Sequence, residues 1–163
     1  MARIESVNVG ALRTVQWHGR GVTTGIWKTP VEGRVPVRGV HVDGDEQADL
    51  RVHGGPDKAV YAYASEDYDW WADELGAPLA PGTFGENITT AGVDLAALER
   101  GERIVIGTAV LEVRDPRQPC YKLGIRMGDD EFVDRFAAAG RLGRYFAIRE
   151  AGDVGVGDAI TRG

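Results

Sequence analysis

Glycine constrains this chain more than any other feature: 23 glycines punctuate 163 residues, and they recur between short apolar runs instead of gathering in one tract. Glycine accepts backbone angles that other residues avoid, so this spacing predicts many short strands joined by tight turns. The segment VPVRGVHV (35–42) alternates with period two, placing Val35, Val37 and Gly39 on one face and Pro36, Arg38 and Val40 on the other. The runs at 59–65, 103–107, 109–114 and 144–150 are rich in β-branched and aromatic residues and read as further strands. VNVGALRTVQW, near the start, supplies one or two more. Two segments break the pattern. SEDYDWWADELG (65–76) has a serine cap, early acids and a closing glycine, and DDEFVDRFAAAG (129–140) sets Phe132, Phe136 and Ala139 at helical spacing. The expected fold is mainly β, a barrel or closed sheet with two or more short peripheral helices.

Length and composition fit one domain spanning 1–163, with 43% hydrophobic and 27% charged residues. A net charge of −6 opposes general adhesion to nucleic acid or anionic membrane. The N-terminal stretch carries Arg3, Glu5 and Arg13 and has no apolar run long enough for a signal peptide or membrane helix, so a cytoplasmic protein is expected. The single cysteine, Cys120, cannot form an internal disulfide, and the fold must stand on packing.

Several motif shapes fail on spacing. DGDEQAD (43–49) resembles the start of a calcium loop, but its glycine comes early and the distal glutamate is missing, which leaves a turn. GGPDKAV (54–60) lacks the GxxxxGK[ST] spacing of a phosphate loop. GDVGVGD (152–158) is followed by no helix and reads as a hairpin connection. His18, His41 and His53 are too dispersed for a common structural zinc site.

Polar residues concentrate in three loops, each joined to a strand. In ADLRVHGGPDKAVYAY (48–63), Asp49, His53, Asp57 and Lys58 surround Gly54 and Gly55, where backbone N–H groups can approach a ligand closely. In PGTFGENITT (81–90), Thr83, Glu86 and Asn87 offer a hydroxyl, a carboxylate and an amide. In RDPRQPCYKL, prolines stiffen the backbone on both sides of Arg117 and present Cys120 beside Arg117 and Lys122, which stabilise a thiolate if they face it. Each feature has a plainer reading. Cys120 could be a small buried hydrophobe, His53 a turn cap, Asp49 and Lys58 an ion pair, and Asn87 a brace for its own loop. Tyr68, Trp70 and Trp71 read as helix packing.

Taken together and in order, GDEQADLRVHGGPDKAVYAY, GTFGENI, IGTAVLEVRDPRQPCYKL and GRYFAIREAGDVGVGD resemble the molybdenum cofactor sulfurase C-terminal (MOSC) domain family, in particular its small bacterial stand-alone members. The resemblance covers roughly residues 4–161. It implies a β-barrel that binds the molybdenum cofactor (Mo-molybdopterin) and, in enzymatic members, reduces N-hydroxylated compounds. It further implies that Cys120 ligates the metal and that Asp57 or His53 passes protons. Arg117, Lys58, Asn87, Thr83, Asp49 and the Gly54 and Gly55 backbone would receive the cofactor, with Arg38 a weaker candidate. Electrons would come from a separate redox partner, because one cysteine cannot hold a four-cysteine iron–sulfur cluster. A homodimer is a family expectation. Some bacterial relatives carry a helical extension after this domain.

Three classes of function remain open on the sequence. One is a molybdenum-dependent reductase acting on a small N-hydroxylated substrate. A second is a non-catalytic carrier of the cofactor, or of sulfur held on Cys120 as a persulfide. The third is a metal-free thiol enzyme with His53 as its base.

Overall fold

A computed structural model describes residues 1–48 and 54–163. Thirteen strands are found among them, in chain order β1 (Arg3–Val9), β2 (Arg13–Trp17), β3 (Arg20–Thr24), β4 (Thr29–Pro30), β5 (Val35–Arg38), β6 (His41–Val42), β7 (Val60–Ala64), β8 (Ile88–Ala91), β9 (Arg103–Ile106), β10 (Ala109–Pro116), β11 (Arg144–Glu150), β12 (Gly152–Val154) and β13 (Ile160–Arg162). Three helices accompany them, α1 (Ser65–Leu75), α2 (Tyr121–Met127) and α3 (Phe132–Ala139). The main sheet has eight strands in the order β13-β9-β10-β11-β7-β8-β1-β4. It is mixed, because β7 and β8 run parallel while its other pairs are antiparallel.

The mainly β fold expected from the sequence is found as a large mixed sheet, and no closed barrel is detected among the described residues. Among the described residues β1 meets the segment before β13 at one bridge, Arg3 to Ala159, and no ladder joins them. The hydrophobic pattern selects two apolar faces without specifying how the sheet edges meet. Two smaller assemblies, β12-β5-β6 and the β2-β3 hairpin, complete the strands.

β7 shows how sequence builds two cores. All five of its residues are buried. Alternate side chains of a strand point to opposite faces, so Val60, Ala62 and Ala64 join an aliphatic core with Leu111, Val113 and Ile88, whereas Tyr61 and Tyr63 join an aromatic one. α1 and α3 supply Tyr68, Trp71, Phe132 and Phe136 to the aromatic side, where Trp71 and Phe136 are fully buried. Each such ring contributes roughly 1.5–3 kcal/mol on burial. Tyr68, Trp70 and Trp71 thus pack helix against sheet, as the sequence suggested.

Three local expectations are corrected. VPVRGVHV is two strands, because Gly39 at φ 64° turns the chain between β5 and β6. GDVGVGD is no hairpin: β12 pairs with β5 and β13 with β9, so the segment passes between two sheets. Ser65 does not cap α1. Ala64 holds the cap position without a side-chain bond, and the Ser65 hydroxyl donates to Glu66. Both helical segments otherwise form as expected, closing at Gly76 and Gly140 in the left-handed conformation. α2 went unrecognised in the sequence.

Candidate functional site

The loop between α1 and β8 organises the site. Gly82 and Gly85 both have positive φ, and a side chain at Gly82 would strike the Lys28 carbonyl, 2.5 Å from where its Cβ would lie. Close approach of this loop to the Gly25–Lys28 strand connection therefore demands glycine. At the end of the loop Asn87 is buried and holds three segments together. Its Oδ1 accepts from the Tyr61 backbone N–H (3.1 Å), and its Nδ2 donates to Asp45 Oδ2 (3.0 Å) and to the Asn8 carbonyl (3.4 Å). Asp45 in turn forms a buried ion pair with Lys28 at 2.6 Å, the two side chains only 3% and 8% exposed. Lys28 also donates to the Gly25 carbonyl and Asp45 accepts from the Gly10 N–H, so the pair is hydrogen-bonded as well as charged.

Arg117 follows Pro116 at the end of β10 and is 7% exposed. Its Nη1 donates to the Phe84 carbonyl of the same glycine loop, and its guanidinium lies 5.0 Å from the centre of the Tyr61 ring. Burial opposes the Arg117 charge, but Tyr61 and Tyr145 outweigh it and hold the pKa above the ordinary arginine value. The same burial raises Tyr61 and Tyr145, with Arg117 working against it, so both phenols stay neutral hydrogen-bonding groups. Cys120, partly exposed, occupies the N-cap of α2 and is electrostatically coupled to both Arg117 and Tyr145.

These groups line one cleft. Lys28, Lys58, Arg117 and Lys122 meet there with Tyr61, Tyr145 and Asn87, opposed by Asp45 and Glu46. Lys58 also lies 5.5 Å from the Tyr145 ring centre. In a chain of net charge −6 this is a local cationic pocket, suited to an anion with aromatic or planar character. Of the sequence-derived site residues, Lys58, Asn87 and Arg117 are brought to this cleft, with Cys120 beside it.

Others are placed elsewhere. Thr83 is buried and its hydroxyl donates to the Ala80 carbonyl at 2.6 Å, bracing the loop. Asp57 is 63% exposed and faces Arg114, Nε to Oδ1 3.1 Å, in a cluster where Arg114 and Arg149 share Glu112. Arg38 pairs with Asp43 on the surface. Gly54 is buried and Gly55, at φ 86°, opens the helical turn Pro56–Lys58 and accepts from the Lys58 N–H. Asp49 and His53 lie outside the described residues. The sequence reading missed Lys28, Asp45, Tyr61 and Tyr145. Tyr61 and Tyr145 carried the one available signal, aromatic residues on strands next to the polar loops; the Lys28–Asp45 pair had none.

Among the described residues the chain is a mainly β domain with three short helices and a single thiol beside a cationic cleft. Comparison with known proteins places it. Residues 49–161 match the MOSC domain, and the chain belongs to that family. It is 39% identical to YflK of Bacillus subtilis strain 168, an uncharacterised protein, over 97% of this chain and 73% of YflK. A protein named Reductase from Gibberella moniliformis is 33% identical over 88% of this chain, which spans 26% of that longer protein. The crystal structure of YiiM from Geobacillus stearothermophilus superposes with a TM-score of 0.81 at 33% identity, covering 100% of this chain and 75% of that one.

Proposed function

We propose that this protein binds the molybdenum cofactor in the Arg117 cleft and reduces small N-hydroxylated compounds, with electrons from a separate redox protein. The observation that carries the reading is the coupling of Cys120 to Arg117, which lines a cleft with Lys58 and Lys122. The donor set fits the group. Among the described residues no cluster of three or more His, Cys, Asp or Glu could hold a bare metal ion, while one soft thiolate suffices for a molybdenum centre already held by a pterin dithiolene. The cofactor's phosphate suits the lysines and Arg117, and the neutral phenol of Tyr145 suits its polar edges, while the Tyr61 hydroxyl donates to the Leu142 carbonyl. Membership of the MOSC family, and at greater distance the Gibberella Reductase, support this reading.

When bound, the cofactor supplies the two-electron redox chemistry. The chain's own residues do the rest. Cys120, held at the N-cap of α2 behind the Pro119 constraint, offers Sγ from a fixed direction. Arg117 is oriented by the Phe84 carbonyl and the Tyr61 ring and lines the cleft, so it would meet an anion there with little further ordering cost. The Lys28–Asp45–Asn87 chain of contacts holds the opposite wall. Asp57, one residue before Lys58, or alternatively His53, is the proposed carrier of protons to the departing hydroxyl. For that role the Asp57 carboxylate exchanges its Arg114 partner for substrate.

Molybdenum and pterin analysis of protein made in a host competent for cofactor synthesis tests the reading, with Cys120→Ser alongside. Near-stoichiometric molybdenum in the wild type and its loss in the variant are expected. Reduction of a hydroxylamine or amidoxime by the loaded protein, with an artificial electron donor, then separates a reductase from a carrier. Loaded protein inactive on a panel of such substrates would sink the reductase reading.

A further inference from the structure

A second cavity, of about 680 Å³, shares no lining residue with the Arg117 cleft. Its walls are the start of α1, the stretch 92–96 and the connection from α3 into β11. Arg144 lines it and is 8% exposed. Every hydrogen bond Arg144 makes among the described residues goes to a neutral carbonyl: Nε to Arg114 (2.8 Å), and Nη1 to Leu95 (3.3 Å) and Ala96 (3.5 Å). It forms no ion pair among the described residues, and no hydrogen bond from its Nη2 is found among them. A buried guanidinium without a counter-charge is costly, and an anionic oxygen arriving on Nη2 would supply what the protein omits.

The remaining charges of the cavity narrow the ligand. Arg141 is already neutralised by Asp67 at 2.6 Å. Glu66 and Asp94 are exposed carboxylates; Glu66 accepts from the Gly92 N–H (2.8 Å) and Asp94 from the Ala96 N–H (3.1 Å). The lining therefore has one uncompensated cation within and two carboxylates towards solvent. A dianion such as phosphate would meet repulsion from Glu66 and Asp94, whereas a carboxylate that also carries an ammonium group satisfies both ends. The apolar sides of Val93, Leu95, Pro116 and Leu142 suit a short aliphatic spacer, and the volume is that of a small-molecule site.

The geometry points to a binding site for a small zwitterionic amino carboxylate, its carboxylate on Arg144 and its ammonium toward Glu66 and Asp94. The site is independent of the proposed cofactor chemistry.

Calorimetric titration of the full chain with ω-amino acids from β-alanine to 6-aminohexanoate tests it, against fatty acids of matching length and inorganic phosphate. Saturable binding of at least one amino acid is expected, weakened at least tenfold by Arg144→Gln. Ala96→Trp, at an exposed position on the cavity lining, adds bulk to the space while keeping the Arg144 side chain and the backbone carbonyl it donates to, and should abolish binding in a folded protein. If Arg144→Gln does not fold, Ala96→Trp decides. No saturable binding, binding unchanged by Ala96→Trp, or phosphate or a plain carboxylate binding as tightly as the amino acid would each overturn the assignment.

Discussion

Glu86 and Arg117 are both buried, both charged by nature, and both anchored to the loop that carries Phe84, yet one is closed and the other open. Glu86 Oε1 accepts from the Tyr68 hydroxyl at 2.6 Å, and its Oε2 accepts from the Gly82 N–H at 3.0 Å and the Thr89 hydroxyl at 2.8 Å. Tyr68 completes the circuit by accepting from the Phe84 N–H. Arg117 donates to the Phe84 carbonyl, contacts the Tyr61 ring and lines the cleft. A polar group enclosed by its own loop holds that loop in place, while one that lines a cleft can meet a ligand.

The sharpest way to break this contrast is Glu86→Ala, which strands the Tyr68 and Thr89 hydroxyls and the Gly82 N–H in a dry interior. A loss of about 3–5 kcal/mol is expected, read by urea unfolding. Glu86→Gln isolates the charge. Burial pushes the Glu86 carboxyl above its ordinary value of 4.5. Its stabilising contribution is therefore fully present below that value and falls away as pH rises through the higher folded pKa. The stability difference between wild type and Glu86→Gln should accordingly move against the wild type with rising pH across that window.

On the open side, Cys120→Ser should remove molybdenum while changing stability by less than about 1 kcal/mol, because serine serves the N-cap of α2 at least as well as cysteine. Retention of metal in this variant would remove Cys120 as a ligand. Arg117→Lys keeps the charge but loses the planar fork and the stacking on Tyr61, and cofactor affinity should fall about tenfold, or ~1.4 kcal/mol, in equilibrium binding. Asp57→Asn should matter least to the fold, within about 1 kcal/mol, since its ion pair is largely solvated. Its proposed proton role predicts turnover lower by about a hundredfold at unchanged cofactor content; unchanged turnover would take Asp57 out of the mechanism.

Much of the architecture was legible. The strands at 60–64, 103–106 and 144–150 follow from β-branched and aromatic enrichment, and the helices α1 and α3 from capping signals and helical spacing, all set by local residues. α2 escaped because seven residues are too few for a periodic stripe, and its first turn overlaps the Pro119-Cys120 motif. The 35–42 run misled because Gly39 leaves the alternation intact while reversing the chain. No helix among the described residues is long and apolar enough to cross a membrane.

The site divides in the same way. Arg117, Lys58, Asn87 and Cys120 stood out because glycine and proline mark the loops that carry them, and backbone restriction is a property of the local chain. That Lys28 pairs with Asp45, that Asn87 bonds Tyr61, and that Asp57 turns to Arg114 while Lys58 turns to the cleft were decided by the fold alone. Local sequence determines which dihedral angles are cheap. Which charges meet depends on contacts between segments far apart in the chain, and these exist only once the two cores have packed around β7.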